Sequence, residues 1–442
     1  MKITAYQSKK DAKEQLKEIP FEQFVKTDDA ENHMLNIYPE LTFQKILGFG
    51  GALTDSSAAC YAKMSNDTKR EFIELMFDKE KGLGYNFCRS HINSCDFSQD
   101  GYTYCDENDE TLETFDISHD KKEIIPLILD AKTASPDLLL FSSPWSPPAY
   151  MKDTNNMLSG GKLLKKYYDL WAQYFVRYIE EYKKCGIDIL AVTVQNESKA
   201  VQTWESCVYT SEEQLDFVIN HLRPSLDNAG FEDVKIMVWD HNKERVYDWA
   251  RDTVNKKGGN ESVWGIAFHW YSGKHFDGLK FAHQVAPDKM LISSEFCYGG
   301  TENQWTDAEG YVYDMIGNFN NFTNASCDWN ITLDENGGPY HARGGGCKAV
   351  VHYNSKTDSL EIRDHYYAVA HFSKFIERDA VRLGTTTFAD IVSIAAFRNP
   401  DGKIVAVIAN LDDREHKTSL RMNEYVAKNI LPAHSITTLV IE

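Results

Sequence analysis

The chain has 442 residues, 42% of them hydrophobic and 12% aromatic, which allows a large core and up to about three average domains. A formal net charge of −19 disfavours nucleic acid and anionic membranes as partners, and residues 1–18, charged throughout, predict neither a signal peptide nor a membrane anchor. Nine cysteines, an odd number with no Cys-x-x-Cys pair, argue against a disulfide framework or a zinc ribbon and point to reduced thiols in a cytoplasmic protein.

Residues 1–43 contain short alternating segments, 21–25 and 34–38, that read as strands ahead of the main body. Gly48-Phe49-Gly50-Gly51 follows, with Thr54 and Asp55 as possible helix caps. The glycines lack both the Gly-Lys-Ser/Thr and the dinucleotide spacing of a phosphate cradle, so they read as close backbone packing at a barrel mouth. A strand–helix rhythm then sets in. Helical periodicity covers 66–77, 121–134, 164–182, 212–228, 244–254, 279–285, 311–319 and 365–376. The clearest case has Leu164, Tyr168, Trp171, Phe175, Tyr178 and Tyr182 recurring every three or four residues, with Gly186 as its stop.

Buried-strand runs centre near residues 47, 88, 140, 192, 236, 266, 292 and 329. Eight such runs separated by helices predict an α/β architecture, a (β/α)8 TIM barrel over 44–378. An open doubly wound sheet is the alternative, disfavoured because the nucleotide fingerprint is missing. Past about residue 385 the pattern alternates apolar and polar over 390–397, 404–411 and 435–441, with a turn at 399–402. These segments, 379–442, together with 1–43, predict a smaller side β-sandwich domain packed on the barrel.

Two runs end in a carboxylate. Residues 189–198, ILAVTVQNES, are apolar or β-branched on both faces until Gln195, Asn196 and Glu197; residues 289–297, KMLISSEFC, carry Glu295 in the same place. By strand count these are the carboxyl ends of the fourth and seventh strands, where a barrel carries its catalytic groups. Carboxylates facing each other at about 5–5.5 Å suit double displacement at a glycosidic carbon: one attacks, the other protonates the departing oxygen. A single strand-end glutamate is more often an ion-pair partner. Two, each with polar neighbours, favour chemistry.

With these residues in view, the chain resembles the four-seven clan of retaining glycosidases, and within it the glucosylceramidase-like family, glycoside hydrolase family thirty, in its bacterial branch. The matching stretches run in order from 48 to 376: Gly48-Phe49-Gly50-Gly51-Ala52 with Thr54-Asp55, Cys95-Asp96-Phe97-Ser98, Ser143-Pro144-Trp145, Ala191-Val192-Thr193, Asn196-Glu197, the stretch from Gly265 to Tyr271, Ser293-Ser294-Glu295, Asp328-Trp329-Asn330, Gly337-Gly338-Pro339 and the stretch from His371 to Ile376. The resemblance implies Glu295 as nucleophile and Glu197 as acid/base. It implies Asn196 on the sugar 2-hydroxyl, Asp96 and Trp145 on hydroxyls across the ring, and Trp329 as an aromatic face. Tyr271 and Arg89 would orient Glu295 and keep it ionised, and His269 would line the pocket, a core histidine bonded to a carbonyl being the alternative. Ser198 stands where the family commonly has proline. Tyr340 to Gly346 differs from the lipid-hydrolysing members, which implies a different leaving-group side, with Trp204 and Asp240-His241-Asn242 expected to line it.

The implied activity is hydrolysis of β-D-glucosides, without metal or cofactor; a β-xylosidase or β-1,6-glucanase on the same scaffold is the alternative. Two further classes are a non-catalytic carbohydrate-binding barrel, and a metal-dependent barrel hydrolase using His269 and Asp240, for which the His-x-His of the first strand is missing. Aglycone, exo or endo action and oligomeric state stay open at this point.

Overall fold

In the computed structural model, which describes residues 2–27 and 32–442, eight parallel strands form one sheet. They are β1 (Gly48–Gly51), β2 (Phe87–Ile92), β3 (Leu139–Pro144), β4 (Ala191–Thr193), β5 (Lys235–Asn242), β6 (Gly265–His269), β7 (Met290–Glu295) and β8 (Thr323–Asp328). Each pairs in parallel with the next from β2 to β8, and β8 pairs with β1. The ring closes through a bridge between Ala52 and Arg89 and through Asn86, whose backbone and side chain both bond Phe49. The sheet is thus a TIM barrel.

All eight runs form strands, but the eighth is displaced. It ends at Asp328, and Trp329 and Asn330 lie beyond it, Asn330 with φ +61°. The strand itself, TNASCD, is small and polar because it lies fully buried beside the glycine strand β1, so the tryptophan drew the expected centre too far along.

The barrel interior sorts its residues by height. Phe87, Phe141, Ala191, Met237, Ala267, Ile292 and Ala325, one from each of β2 to β8, form a fully buried apolar cluster. That plug excludes charge from the lower barrel, so the polar side chains of the same strands gather at the carboxyl-end mouth. The helices outside follow the predicted periods closely, as with Asn66–Phe77 capped by Ser65, and Tyr168–Lys184, which buries Trp171, Phe175, Tyr178 and Tyr182. The expected helix over 121–134 is broken at Glu123 into Ser118–Lys122 and Ile124–Ala134.

A ten-stranded sheet draws on both chain ends. Ile3–Lys9 pairs with Ser435–Ile441, and Met34–Lys45 lies between Val381–Thr387 and His416–Met422. Its two edges are tied by one segment: Gln23 bonds Ile3 in both directions, while the Glu22 amide donates to Asn429. Alternate residues of Val392–Arg398 and Ile404–Asn410 fill two cores, Ile394, Ala396, Ala406 and Ile408 within the sandwich, and Phe397, Val405 and Val407 against the barrel. Of the segment expected at 21–25, only Val25 is in a strand, the short Val25–Lys26. No helix among the described residues is long and apolar enough to cross a membrane.

Candidate active site

Arg89, fully buried on β2, is the first hub of the barrel mouth. Its Nη1 donates to Glu295 Oε2 at 2.5 Å, its Nη2 to Asn196 Oδ1 and Asp240 Oδ2 at 2.8 Å each, and its Nε to Ser143 Oγ at 3.1 Å. The guanidinium lies 4.7 Å from the centre of the Trp145 ring and 5.6 Å from that of Trp329, two rings stacked on each other at 5.3 Å. A buried cation is tolerable only with such a complete set of partners.

Asp240, expected with His241 and Asn242 on the leaving-group side, is the second hub and is fully buried. Strand β5 bulges here: Trp239 and Asp240 have φ +74° and +53°, and the register against β6 slips between Ala267 and Phe268. The bulge re-aims the side chain inward. Oδ2 accepts from Arg89, from Thr193 Oγ1 at 2.8 Å and from Ser143 Oγ at 3.0 Å; Oδ1 accepts from Ser294 Oγ at 2.6 Å and from His269 Nε2 at 3.0 Å. Burial alone would raise this carboxyl, but Arg89 and His269 hold it below the usual carboxylate range. An ionised acceptor at Nε2 makes that nitrogen a donor, which leaves His269 Nδ1 facing the pocket. This is not the carbonyl-bonded core histidine that the sequence leaves as its alternative.

His269 Nδ1 lies 3.6 Å from Glu197 Oε1 and 3.8 Å from Glu295 Oε1. The two carboxylates therefore converge on one ring nitrogen, and the sum of those distances bounds their separation. Glu295 ends β7 and also accepts from the Tyr271 hydroxyl at 3.0 Å. Glu197 lies past the end of β4 with φ +49°, held there by its backbone amide, which donates to Asp240 O at 2.7 Å. Its Oε2 accepts from Gln202 Nε2 at 3.1 Å, and its Oε1 is 3.5 Å from His241 Nδ1. Burial would raise the Glu197 carboxyl; the His241 and His269 rings outweigh it and hold the group below its usual range. Burial also opposes charge on His269, but Glu295, Asp240 and Glu197 push it up to about 9.

Asp96 sits deeper than a surface carboxylate, and burial pushes it up to about 7 even though Arg343 opposes the shift. Arg343 Nη1 donates to Asp96 Oδ2 at 2.6 Å, and the guanidinium lies over the rings of Phe97 at 4.6 Å and Trp204 at 5.3 Å. His341, two residues earlier, donates its backbone amide to Asp96 O and meets Glu205 Oε2 through Nε2 at 3.0 Å. The stretch around Arg343, expected on the leaving-group side, thus reaches across to Asp96. Nearby, Cys297 and Cys347, both buried and unbridged, bring their Sγ atoms to 3.3 Å, and Tyr271 Oη lies 3.4 Å from Cys297 Sγ.

Every residue singled out from the sequence lies in this one constellation. Gln202, Arg343, Glu205 and His341 are not among the residues the sequence points to, and the sequence does not show that Asp240 organises the whole mouth. Asp240 left a signal, an acid following the apolar run IMVW as Glu295 follows its own. Arg343 left none, because it lies in the loop after β8 and reaches Asp96 only through the tertiary fold.

Comparison with known proteins agrees over both domains. The Glycosyl hydrolase family 30 TIM-barrel domain matches residues 46–376, and the family 30 beta sandwich domain matches 379–439. The lysosomal acid glucosylceramidase of Mus musculus is 31% identical over 92% of this chain and 82% of its own length. An endo-1,6-beta-D-glucanase of Neurospora crassa is 29% identical over 83% of this chain and 79% of its own. Among solved structures, SrfJ from Salmonella typhimurium superposes with a TM-score of 0.96 at 33% identity, covering 99% of both chains. An endo-beta1,6-glucanase gives 0.87 at 28% identity, again over 99% of both. With both halves matched and the barrel mouth built as described, the chain belongs to glycosyl hydrolase family 30 and is a glycoside hydrolase.

Proposed function

We propose that the protein is a retaining β-glycosidase acting on β-D-glucosidic bonds, with Glu295 as nucleophile and Glu197 as acid/base. The observation that carries this reading is the convergence of both carboxylates on His269 Nδ1, at 3.6 and 3.8 Å. Arg89 and Tyr271 each donate to one oxygen of Glu295, which fixes the orientation of the carboxylate for attack. In the first step a Glu295 oxygen bonds the anomeric carbon, the glycosidic C–O bond breaks, and the Glu197 proton passes to the departing oxygen. In the second, water attacks the same carbon, gives its proton to Glu197, and releases Glu295.

Glu197 must therefore gain a proton as substrate arrives, since the two imidazoles keep it ionised beforehand. Exclusion of water by the entering sugar acts in that direction. Asn196, held by Arg89, is set to bond the 2-hydroxyl, while Asp96 with Trp145 and Trp329 would receive the rest of the ring. A β-1,6-glucan is the second reading, favoured by relatives bearing that name in both comparisons.

Hydrolysis of 4-nitrophenyl β-glucoside, β-xyloside and a β-1,6-linked glucan tests the substrate. Replacing Glu295 by Gln should abolish turnover of the best of them. Glu197→Ala should slow an unactivated substrate by about 10²–10⁴-fold and be rescued by azide with a good leaving group. Near-parental activity in Glu295→Gln ends this reading.

A further inference from the structure

The pocket groups the acid/base carboxylate with two histidines in an arrangement that proton transfer alone does not require. Glu197, His241 and His269 each offer one ligating atom, and these atoms lie within 4.8 Å of one another. Both histidines present Nδ1, at 3.5 and 3.6 Å from the same Glu197 oxygen. Both nitrogens are buried and lack a hydrogen-bond partner, and His269 as a whole has no solvent exposure. We propose that these three residues bind a divalent cation of the zinc class, and that the bound ion inhibits the enzyme by withdrawing Glu197 from proton transfer.

Four observations carry the site. Zinc bonds to imidazole nitrogen and carboxylate oxygen run at about 2.0–2.2 Å, so tetrahedral ligands stand about 3.3–3.5 Å apart. The two Glu197–histidine separations meet that spacing within about 0.3 Å, and the two histidines, within 4.8 Å, would draw together by at most about 1.5 Å on binding. The outer shell is also in place. His269 Nε2 donates to the Asp240 carboxylate at 3.0 Å, which fixes the ring with Nδ1 inward, as ligating histidines generally require. Asp240 is in turn locked by Arg89, Ser143, Thr193 and Ser294. A second carboxylate, Glu295, brings Oε1 to 3.8 Å from His269 Nδ1 beside the three ligands. Two imidazoles and one carboxylate suit zinc or copper; magnesium and calcium, which want mainly oxygen ligands, are disfavoured.

The test uses the full chain after chelator treatment, with Co²⁺ as the spectroscopic probe and Zn²⁺ as the competitor. One equivalent of Co²⁺ should give visible bands of tetrahedral type without a thiolate charge-transfer band, and Zn²⁺ should remove them. Zn²⁺ should also inhibit hydrolysis of an aryl β-glucoside reversibly. His241→Ala, with His241→Gln as a second variant should the first fold poorly, should weaken Co²⁺ binding about tenfold or more. Each should raise the half-inhibiting Zn²⁺ concentration by the same factor, every variant being scaled to its own metal-free rate. Cys347→Ser should leave the cobalt spectrum unchanged. A spectrum with a thiolate band that Cys347→Ser abolishes, or cobalt affinity unchanged in folded His241 variants, overturns the proposal. The inhibition arm rests on the function proposed above. The cobalt arm does not, so bands that depend on His241 in a chain without glucosidase activity support the metal site and count against that function alone.

Discussion

Asp240 is the residue on which the geometry of the mouth most depends. Five donors from β2, β3, β4, β6 and β7 meet its two oxygens, so it sets the positions of Arg89 and His269 together. Asp240→Asn removes the charge from this network and turns an amide toward at least one donor. Breaking a buried ion pair costs about 3–5 kcal/mol, and we expect a loss of that order in urea unfolding together with a fall in kcat. An unchanged denaturation midpoint would show that the network carries no stability. Arg343 acts on a different carboxylate. Asp96 stands at about 7 with Arg343 beside it, so removing the cation favours the protonated acid further. Arg343→Ala should therefore move the acid limb of the kcat/KM profile for an aryl glucoside to higher pH, and an unmoved limb would dissociate Asp96 from substrate binding. The two residues differ in legibility. Asp240 is an acid at the end of an apolar run and belongs to a recognisable kind of position, whereas nothing adjacent in sequence links Arg343 to Asp96.

At the scale of elements, the barrel strands were legible because burial on both faces demands unbroken apolar or small residues, and a charged residue at the end of such a run stands out. The elements that were missed lack that contrast. Ile3–Lys9, ITAYQSK, has few apolar positions and gains its place only by pairing with Ser435–Ile441. The hairpin of His416–Met422 and Tyr425–Leu431 is interrupted by lysine, arginine and asparagine on its outer face. The small sheet of Thr332–Asp334, Val351–Asn354 and Ser359–Ile362, which frames the stretch bearing Arg343, joins segments too short for a period. Strand β1 was legible for the opposite reason, its glycines. A Cβ on Gly50 would lie 1.8 Å from the carbonyl oxygen of Phe87 on β2, a backbone atom that no rotamer change can move. Gly50→Ala must then part β1 from β2 where the ring closes and where Arg89 is held. Overpacking costs about 1–3 kcal/mol, and we expect the upper end because the obstacle is backbone. Chemical denaturation and the KM of the purified variant read the effect; full stability would mean the strands separate freely.

At the scale of the molecule, the barrel and the sandwich share a buried histidine. His371, in the helix Asp364–Ser373, sits without exposure between Thr438 of Ser435–Ile441 and Ser8 of Ile3–Lys9. The Thr438 hydroxyl donates to the His371 carbonyl, so it accepts from Nδ1–H, and Nε2 is left to accept from the Ser8 hydroxyl. The neutral imidazole, with Nδ1–H donating and Nε2 accepting, satisfies both ring nitrogens. Burial accordingly pushes His371 down to about 3, and His365, buried in the same helix, also to about 3. In the unfolded chain each titrates near 6.5. The unfolded state therefore binds more protons below that pH, and the stability due to these groups, complete above about 6.5, is lost progressively as pH falls towards 3. One proton of difference is worth about 1.4 kcal/mol per pH unit. Urea unfolding at pH 7, 6 and 5 should show stability falling with acid, and His371→Gln should flatten that dependence by about one proton's worth whatever it does to stability at pH 7. A slope unchanged in the variant would mean that His371 takes up its proton without unfolding, and that the seam between barrel and sandwich opens locally to admit it.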